Sequence, residues 1–383
     1  MRDEPRFRLG NSGTGQNVFE LEGLREKSKT PPEAMNKVRA NHEFLPDAQS
    51  AFDQTLKKRG YERMSKLENG YEYPSVDEWI EMKIGQGQGW VRSYPAFIQE
   101  KRTKDVLFCK SRIKQKFEVG VGSLAKEAAV LREMKDLPAP RLREYIPRNA
   151  SANDLETLIV ERVDFSEGSV LLPEEWTPEA ARNTARVVRS LEAIPLDAVP
   201  KEVQEQRDTI DTLIARNDYI LRPELKRLIQ DISAKYAPHA HTVFIHGDIW
   251  PKNIIVGTDS KDPKITLVDW ELAGLGYAGQ DIARVWWGIS ANGQERSGAC
   301  KTLIRTYLEG STQEEREAQL ARIRFGLMFE VLDRFDQDNV SVLRDEKSLD
   351  EATANDARNR AEKVYQQLDA LLSLLEEVVE ESR

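Results

Sequence analysis

The residues whose types and spacing could support chemistry lie between positions 246 and 271. Asp248 and Asn253 are five positions apart, and Asp269 follows Asn253 by sixteen positions. In phosphoryl-transfer loops, an aspartate followed five residues later by an asparagine lets the first contact a substrate hydroxyl and the second hold a metal ion. Asp269 then occupies the place of the acidic residue that is the main Mg²⁺ ligand. The spacing therefore indicates phosphoryl transfer.

The residues around these positions extend the pattern, which resembles the aminoglycoside phosphotransferase and choline kinase superfamily of small-molecule kinases. That superfamily shows His-Gly-Asp-x4-Asn, a hairpin, an Asp followed two residues later by Glu or Asp, and a further Asp before a small residue. The resemblance covers roughly residues 78 to 340 and is sharpest from 244 to 288. The matching residues are His246, Gly247, Asp248, Asn253, Asp269, Glu271 and Asp281.

The resemblance implies a two-lobed α+β fold like that of protein kinases. A small, β-rich N-lobe with one helix is expected over residues 76–163, and a larger, mainly helical C-lobe over 164–383, ending in a long helix. Residues 1–75 are polar and interrupted by glycines and prolines, so we expect a partly ordered extension there. Glu192 is a departure from the family, whose members often carry His at that place.

The resemblance also assigns roles to the matching residues. Asp248 is expected to accept a hydrogen bond from the attacking hydroxyl and to position it. Asn253 and Asp269 are expected to bind Mg²⁺, which prefers oxygen ligands, and Glu271 to support a second metal ion or its waters. Asp281 is expected to orient the loop rather than to touch substrate.

Apolar runs predict the elements that bring these residues together. Residues 243–245 should form a strand that delivers Asp248 to a loop. Residues 254–256 and 265–268 should form a hairpin with a polar turn between them. Such a hairpin would place Asn253 close to Asp269.

His246 has three possible interpretations. A zinc site with His239 and His241 would need a carboxylate or Cys partner, and the spacing of the histidines is irregular. A general base is disfavoured because Asp248 fits the loop better. We therefore predict a hydrogen-bonded structural histidine.

Lys110 is the predicted nucleotide-binding lysine. It ends the apolar strand over residues 106–109, where kinases keep the lysine that holds the α- and β-phosphates of ATP. In a helix predicted over residues 123–136, Glu127 lies at the edge of the apolar face and Glu133 points about 180° away. A buried carboxylate needs a cationic partner, so we predict a Lys110–Glu127 ion pair and a solvated Glu133.

Two further residues are candidates for nucleotide binding. Gly87 lies in a run with glycines at positions 85, 87 and 89, which follows an alternating pattern that predicts a strand over residues 79–84. This run could cover the nucleotide phosphates or form a flexible turn. Glu161 ends a short apolar strand where the family joins its lobes, and the resemblance implies that backbone groups there bind adenine.

The phosphate acceptor is the least defined part of the prediction. Trp250 could contribute with three other tryptophans to an aromatic cage for a quaternary ammonium, or these residues could be core. Glu330, Asp333 and Asp336 could bind amino groups of an aminoglycoside-like molecule, or could form a solvated helix face.

Composition limits the classes of partner and location. The net charge of −9 over 383 residues argues against a nucleic-acid partner, which would require a basic surface. No apolar run is long enough for a membrane-spanning helix and the N-terminus has no signal-peptide core, so we predict a cytoplasmic protein. Cys109 and Cys300 are too few and too far apart for a disulfide framework or zinc cluster, and we expect them to be buried.

The last predicted helix bears on the oligomeric state. Its apolar residues repeat at spacings of three and four, as in a coiled-coil seam. The seam could dock on the C-lobe or mediate dimerisation, which leaves a monomer or a homodimer open. The seam residues are Ala361, Val364, Leu368, Leu371, Leu375 and Val378.

The sequence thus predicts an enzyme that uses ATP and Mg²⁺ to phosphorylate a hydroxyl group of a small molecule, with a cationic or aminoglycoside-like acceptor as one option. A catalytically weak, kinase-like binding or scaffold protein is the alternative from another class. The complete set of Asp248, Asn253 and Asp269 favours the enzyme. A protein kinase is disfavoured because no Ala-Pro-Glu motif follows Asp269.

Overall fold

The computed structural model describes residues 48–66, 74–76, 78–79, 93–112, 124–148, 155–163, 168–204, 210–217, 221, 223–236, 241–290, 297–337 and 351–381. Two predictions, the glycine run that contains Gly87 and most of the polar extension, lie wholly or largely outside these residues. Contacts divide the chain into two units, with the boundary between Val170 and Leu171.

The first unit is built around one antiparallel sheet of five strands in the order β1-β2-β3-β5-β4. Strands β2 and β3 pair as an antiparallel hairpin. The elements are α1 (Ala48–Lys58), β1 (Tyr61–Arg63), β2 (Ser93–Glu100), β3 (Val106–Arg112), α2 (Leu124–Glu133), β4 (Leu142–Ile146), β5 (Thr157–Glu161) and β6 (Gly168–Ser169).

Helix α1 and strand β1 belong to the core of this unit. Phe52 is fully buried and packs edge-on against Tyr94 of β2, with ring centroids 5.1 Å apart. Strand β1 extends the sheet by pairing with β2. Both elements precede the predicted lobe boundary at residue 75, so the apolar side chains of residues 48–66 contribute burial energy to the same core.

The strand predicted from residue 79 onward is wrong at its first residue, because Glu78 and Trp79 are helical. The physical reason is a capping box. The Ser75 N–H donates to Glu78 Oε2 at 2.7 Å, and the Glu78 N–H donates to Ser75 Oγ at 3.2 Å. These reciprocal bonds satisfy amides at a helix start. Residues 80–84 of that prediction lie outside the described residues.

The second unit is mainly helical. Thr177 caps the helix that begins at Pro178, because its side chain accepts a hydrogen bond from the Ala180 N–H. The elements are α3 (Pro178–Glu192), α4 (Ile210–Asn217), α5 (Pro223–Tyr236), β7 (Thr242–Ile245), β8 (Ile254–Gly257), β9 (Ile265–Leu267), β10 (Gly274–Tyr277), α6 (Gln280–Ile289), α7 (Gly298–Tyr307), α8 (Gln313–Gln337) and α9 (Glu351–Glu380).

Two antiparallel strand pairs position the loops that carry the candidate catalytic residues of this unit. Strand β7 pairs with β10, and β8 pairs with β9 as the predicted hairpin. Because β7 ends directly before His246 and β9 ends two residues before Asp269, both chemical segments leave ordered strands. The predicted strand positions are confirmed here.

Helices α6 and α8 approach each other closely through glycines. Gly279, at the N-terminus of α6, has a φ of 90°, and a Cβ there would lie 2.4 Å from the Arg322 backbone oxygen. A Cβ on Gly326 of α8 would lie 2.2 Å from the Gly279 backbone oxygen. Side chains at these positions would force the helices apart, so the glycines fix the start of α6 against α8.

The apolar seam of α9 is buried within the chain, against helices that include α7 and α8. All six predicted seam residues are at most 5% exposed, and Leu371, Leu375 and Val378 are fully buried. Gln367 adds a hydrogen bond to the Trp287 carbonyl at 2.9 Å. Within the described ranges, no helix has the length and hydropathy needed to cross a membrane. Cys109 and Cys300 are buried, as predicted, and neither forms a disulfide within the described residues.

Candidate active site

The loop after β7 is held by the carboxylate of Asp281, which is 1% exposed. Its Oδ2 accepts the His246 N–H at 2.7 Å, and its Oδ1 accepts the Gly247 N–H at 2.9 Å. Gly247 has a φ of 76°, a conformation that favours glycine. These two hydrogen bonds to one carboxylate fix the backbone just before Asp248, as expected for a residue that orients the loop.

His246 is a fully buried histidine whose two ring nitrogens are both engaged. Nδ1 lies 3.2 Å from the Asp248 N–H, and Nε2 lies 3.1 Å from the Val268 carbonyl oxygen. Because Nδ1 must accept, the hydrogen bonds assign the proton to Nε2. Burial lowers the pKa of His246, although neighbouring carboxylates oppose this effect. A neutral, hydrogen-bonded histidine results, which agrees with the structural interpretation.

Asp248 and Asn253 are directly joined. Asn253 Nδ2 donates to Asp248 Oδ2 at 3.0 Å and to the Asp248 backbone oxygen at 2.8 Å. The Asn253 side chain is therefore fixed with its amide nitrogen toward Asp248. Its Oδ1 is buried and has no hydrogen-bond partner among the described residues. An orphaned amide oxygen is costly unless something else binds it, and a hard cation would do so.

Asp269 lies next to Asn253 across the hairpin. The Val268 N–H donates to the Asn253 backbone oxygen at 3.0 Å, so the residue before Asp269 is bonded to Asn253. Asp269 has φ 68° and ψ 62°, a left-handed conformation that is uncommon outside glycine and that often marks functional sites. Glu271 follows in a short 3-10 helix and is half-buried.

Arg284 is the residue of this site that the sequence analysis missed. It lies on α6, is 4% exposed, and its guanidinium donates to the Gly247 carbonyl oxygen at 2.6 Å. It also donates to Glu330 at 2.8 Å and to Asp333, and lies 3.5 Å from Asp248 Oδ1. The available signal was an arginine within the apolar run Ile282 to Trp287, where a buried cation requires carboxylate partners.

These contacts change the interpretation of the predicted acceptor-binding acids. Glu330 is 2% exposed and, like Asp333, bonded to Arg284, so neither belongs to a freely solvated helix face. The Asp333 side chain is 34% exposed and is the more accessible of the two. For Asp336 only the helical backbone is described.

The tryptophans are core residues rather than an open cage. Trp270 and Trp286 are fully buried, and Trp287 is 4% exposed. Trp250 is also buried, and the Arg284 guanidinium lies over its ring at 5.6 Å from the centroid. The aromatic cage is therefore wrong for the fully buried pair, which have no surface to offer a ligand.

Glu192 holds the start of α6 from the side of α3. Its carboxylate accepts the Gly279 N–H at 2.8 Å and the Tyr307 O–H at 2.7 Å. Burial raises the pKa of Glu192 to about 7, although both hydrogen bonds act in the opposite direction. Glu192 is thus a hydrogen-bond partner of the start of the helix that carries Asp281 and Arg284.

In the first unit, the predicted ion pair is present. Lys110 Nζ lies 3.6 Å from Glu127 Oε2, and the two side chains are 14% and 6% exposed. Glu133 is exposed, so the predicted phasing of the helix is confirmed. Glu161 ends β5 and is half-buried, with its carboxylate 3.9 Å from Arg143. Gly87 lies outside the described residues.

Comparison with known proteins bears on the family and the fold of the chain. A family model for a phosphotransferase enzyme family matches residues 112–320, more than half of the chain. An ethanolamine kinase from Plasmodium vivax aligns with a TM-score of 0.51 and 11% identity, covering 76% of this chain and 89% of that one. A choline/ethanolamine kinase family protein from Mesorhizobium loti gives a TM-score of 0.49 at 15% identity, covering 74% and 86%. No curated protein matches significantly in sequence. The predicted two-lobed, kinase-like α+β fold is confirmed.

Proposed function

Since the chain belongs to the phosphotransferase enzyme family, we propose that it transfers the γ-phosphate of ATP to a hydroxyl group of a small molecule. The observation that carries this proposal is the joined set of Asp248, Asn253 and Asp269 on two strand pairs of the second unit. These residue types and contacts suit the alignment and charge neutralisation that phosphoryl transfer needs.

Asp248 positions the acceptor in this proposal. Asn253 occupies one site on Asp248 Oδ2, and each carboxylate oxygen has about two lone-pair sites. A site therefore remains to accept the hydrogen of an attacking hydroxyl. The Asp248 side chain is 18% exposed, which gives a small acceptor access to it.

Asn253 and Asp269 are the residues that would hold Mg²⁺. The buried Asn253 Oδ1, without a partner among the described residues, and the neighbouring carboxylate of Asp269 are oxygen donors of the type that this ion prefers. Glu271 would support a second ion or its waters. When bound, Mg²⁺ neutralises charge on the phosphates of ATP.

The proposed contacts with the nucleotide itself lie in the predicted N-lobe, residues 76–163. Lys110 would hold the α- and β-phosphates, and its ion pair with Glu127 would fix the ammonium group. Gly87 and the segment at Glu161 are the further candidates for phosphate and adenine binding.

A cationic acceptor is the finer form of the proposal. Of the two acids of α8 that bind Arg284, Asp333 is the more exposed and is therefore the better suited to contact an amino group of the acceptor. Asp336 is three residues further along the same helix.

A screen for ATP consumption across aminoglycosides, choline-like amines, sugars and glycated amines tests the proposal. Wild-type protein is expected to consume ATP in the presence of one acceptor class and Mg²⁺, with phosphate recovered on a hydroxyl of that acceptor. A folded wild-type protein that neither binds nor consumes Mg·ATP under any of these conditions would refute the proposed function.

A further inference from the structure

We propose that Arg284 is a positioning residue for phosphoryl transfer, which holds Asp248 in place while two acids of α8, Glu330 and Asp333, hold Arg284. The inference rests on the proposed function, because it concerns the same reaction. It adds Arg284 to the residues of the candidate site, although the sequence spacing of Asp248, Asn253 and Asp269 does not indicate it.

The first step of the argument is the contact between Arg284 and the loop. The guanidinium donates to the Gly247 backbone oxygen at 2.6 Å and lies 3.5 Å from Asp248 Oδ1. The guanidinium also lies over the ring of Trp250, with Arg284 Cζ 5.6 Å from the ring centroid. Arg284 therefore contacts the loop immediately before Asp248, at Asp248 and two residues after it.

The second step is what holds the guanidinium itself. Nε donates to Glu330 at 2.8 Å, and a terminal nitrogen donates to Asp333. A guanidinium has five donors in a planar fork, so these bonds and the bond to Gly247 determine its orientation in its plane. The two acids are three residues apart on α8, where side chains share one face of a helix.

The third step concerns why a cation is kept in this position. Arg284 is 4% exposed, and burial by itself would lower its pKa, but Glu330, Asp333 and Asp248 outweigh burial and raise it. A buried ionic cluster often contributes less to stability than well-packed apolar side chains of the same volume would contribute. A role in orientation therefore accounts for this cluster better than a role in stability.

Together with Asn253, Arg284 contacts both oxygens of the Asp248 carboxylate. Asn253 Nδ2 lies 3.0 Å from Oδ2, and an Arg284 nitrogen lies 3.5 Å from Oδ1. Loss of Arg284 would leave Asp248 free to rotate about its Oδ2 contact. Such misplacement lowers the rate of transfer without weakening the binding of Mg·ATP.

The test compares three variants. Arg284→Lys keeps the charge but loses the fork. The double variant Arg284→Met with Glu330→Gln removes the cation and also the charge of the buried Glu330. It is therefore less prone to unfold than Arg284→Met alone, which would leave that charge unpaired. Arg189→Met is the matched control, because Arg189 also anchors backbone in this unit, and the oxygens that it binds, those of Thr306 and Glu309, lie outside the loop.

The readouts are kcat and KM for hydrolysis of Mg·ATP with water as the acceptor, together with the thermal midpoint of each variant. We expect kcat of the double variant to fall by about a hundredfold, the scale of a 1 Å misplacement, with KM for ATP unchanged. Arg284→Lys should show a smaller fall, and Arg189→Met should keep wild-type kcat even if its midpoint falls.

Two results separate the inference from the function on which it rests. If wild-type protein hydrolyses ATP and the folded Arg284 variants do so with wild-type kcat, or lose activity only through KM, the inference is wrong and the function stands. If folded wild-type protein neither binds nor hydrolyses Mg·ATP, the proposed function is wrong and the inference with it.

Discussion

Each of the two units contains a largely buried cation that is paired with at least one acid, but the two arrangements differ. Lys110 in the first unit pairs with Glu127 at 3.6 Å. Arg284 in the second unit contacts Glu330, Asp333, Asp248 and a backbone oxygen. A lysine on a flexible stem can follow a ligand, whereas a guanidinium fixed by several acceptors holds a rigid frame. We therefore propose that the first cluster binds a ligand and that the second fixes the geometry of the loop.

The largest expected effect concerns the proposed Mg²⁺ site of the second unit. Asp269→Asn removes a carboxylate from the proposed Mg²⁺ site, and we expect turnover to fall by about 10²- to 10³-fold, the usual scale for losing an electrostatic stabiliser. Affinity for Mg·ATP should fall as well, because the ion links the protein to the phosphates. Calorimetric titration of ATP at several Mg²⁺ concentrations measures this.

Asp259→Asn is the control for that prediction. Asp259 is an exposed acid in the turn of the same hairpin, bonded to the Lys261 N–H at 2.9 Å. It should keep wild-type binding and turnover. Equal losses in both variants would show that the hairpin is merely sensitive to substitution.

The next effect tests the first cluster. Lys110→Ala should raise KM for ATP and lower kcat, by about tenfold each if one charge-assisted phosphate contact is lost. Glu127→Ala should have the same effect more weakly, because it removes only the partner that fixes the ammonium. Steady-state kinetics at varied ATP measures both.

Glu133→Ala on the same helix is the matched control and should be nearly neutral, since Glu133 is exposed. If Glu133→Ala proves more damaging than Glu127→Ala, the first cluster is not the nucleotide site and the comparison between the units fails.

Glu192 gives a pH-dependent effect in the second unit. Its folded-state pKa of about 7 lies above the ordinary value of 4.5, so the folded state binds this proton more tightly than the unfolded chain does. The contribution of Glu192 to stability therefore declines as pH rises from about 4.5 to about 7. Glu192→Gln should flatten this decline by up to about 3 kcal/mol, since one pKa unit corresponds to about 1.4 kcal/mol.

Denaturant unfolding at pH 5, 6, 7 and 8 measures that change. Glu202→Gln, at an exposed position of the same unit, is the control and should leave the pH profile unaltered. If Glu192→Gln leaves the dependence of the unfolding free energy on pH unchanged, burial does not raise the pKa of the Glu192 carboxyl.

The smallest effect concerns the surface of α9. Glu376 pairs with Arg324 at 2.5 Å, and its side chain is 61% exposed. Glu376→Gln should lower the free energy of unfolding by less than about 1 kcal/mol, because exposed ion pairs contribute little. Denaturant unfolding at low and high salt checks this, and a larger loss that persists at high salt would contradict it.

Much of the site could be predicted from the sequence because its signals are local. The strands before Asp248 and around the 254–268 hairpin follow from apolar runs, and the Lys110–Glu127 pair follows from helix phasing. Each strand and the hairpin are determined by residues close together in the sequence. The Lys110–Glu127 pair is predicted because a carboxylate on the inward face of a helix requires a cation nearby.

The remainder depends on contacts between distant parts of the chain. Arg284 finds its acids 46 and 49 residues away on α8, and no pattern within α6 indicates which acids these are. The spacing of Glu330 and Asp333 is equally typical of a solvated face, so only packing distinguishes the two. At Trp79, a local capping box outweighs the alternation that predicts a strand.

The most direct test of the account is a paired measurement on Asp248→Asn of Mg·ATP affinity by calorimetry and turnover with the best acceptor from the screen. Asparagine keeps the shape of the side chain but cannot take a proton from the attacking hydroxyl. We predict an affinity close to that of wild type and a turnover lower by orders of magnitude. Wild-type turnover in Asp248→Asn would contradict the assignment of the loop and, with it, the central claim.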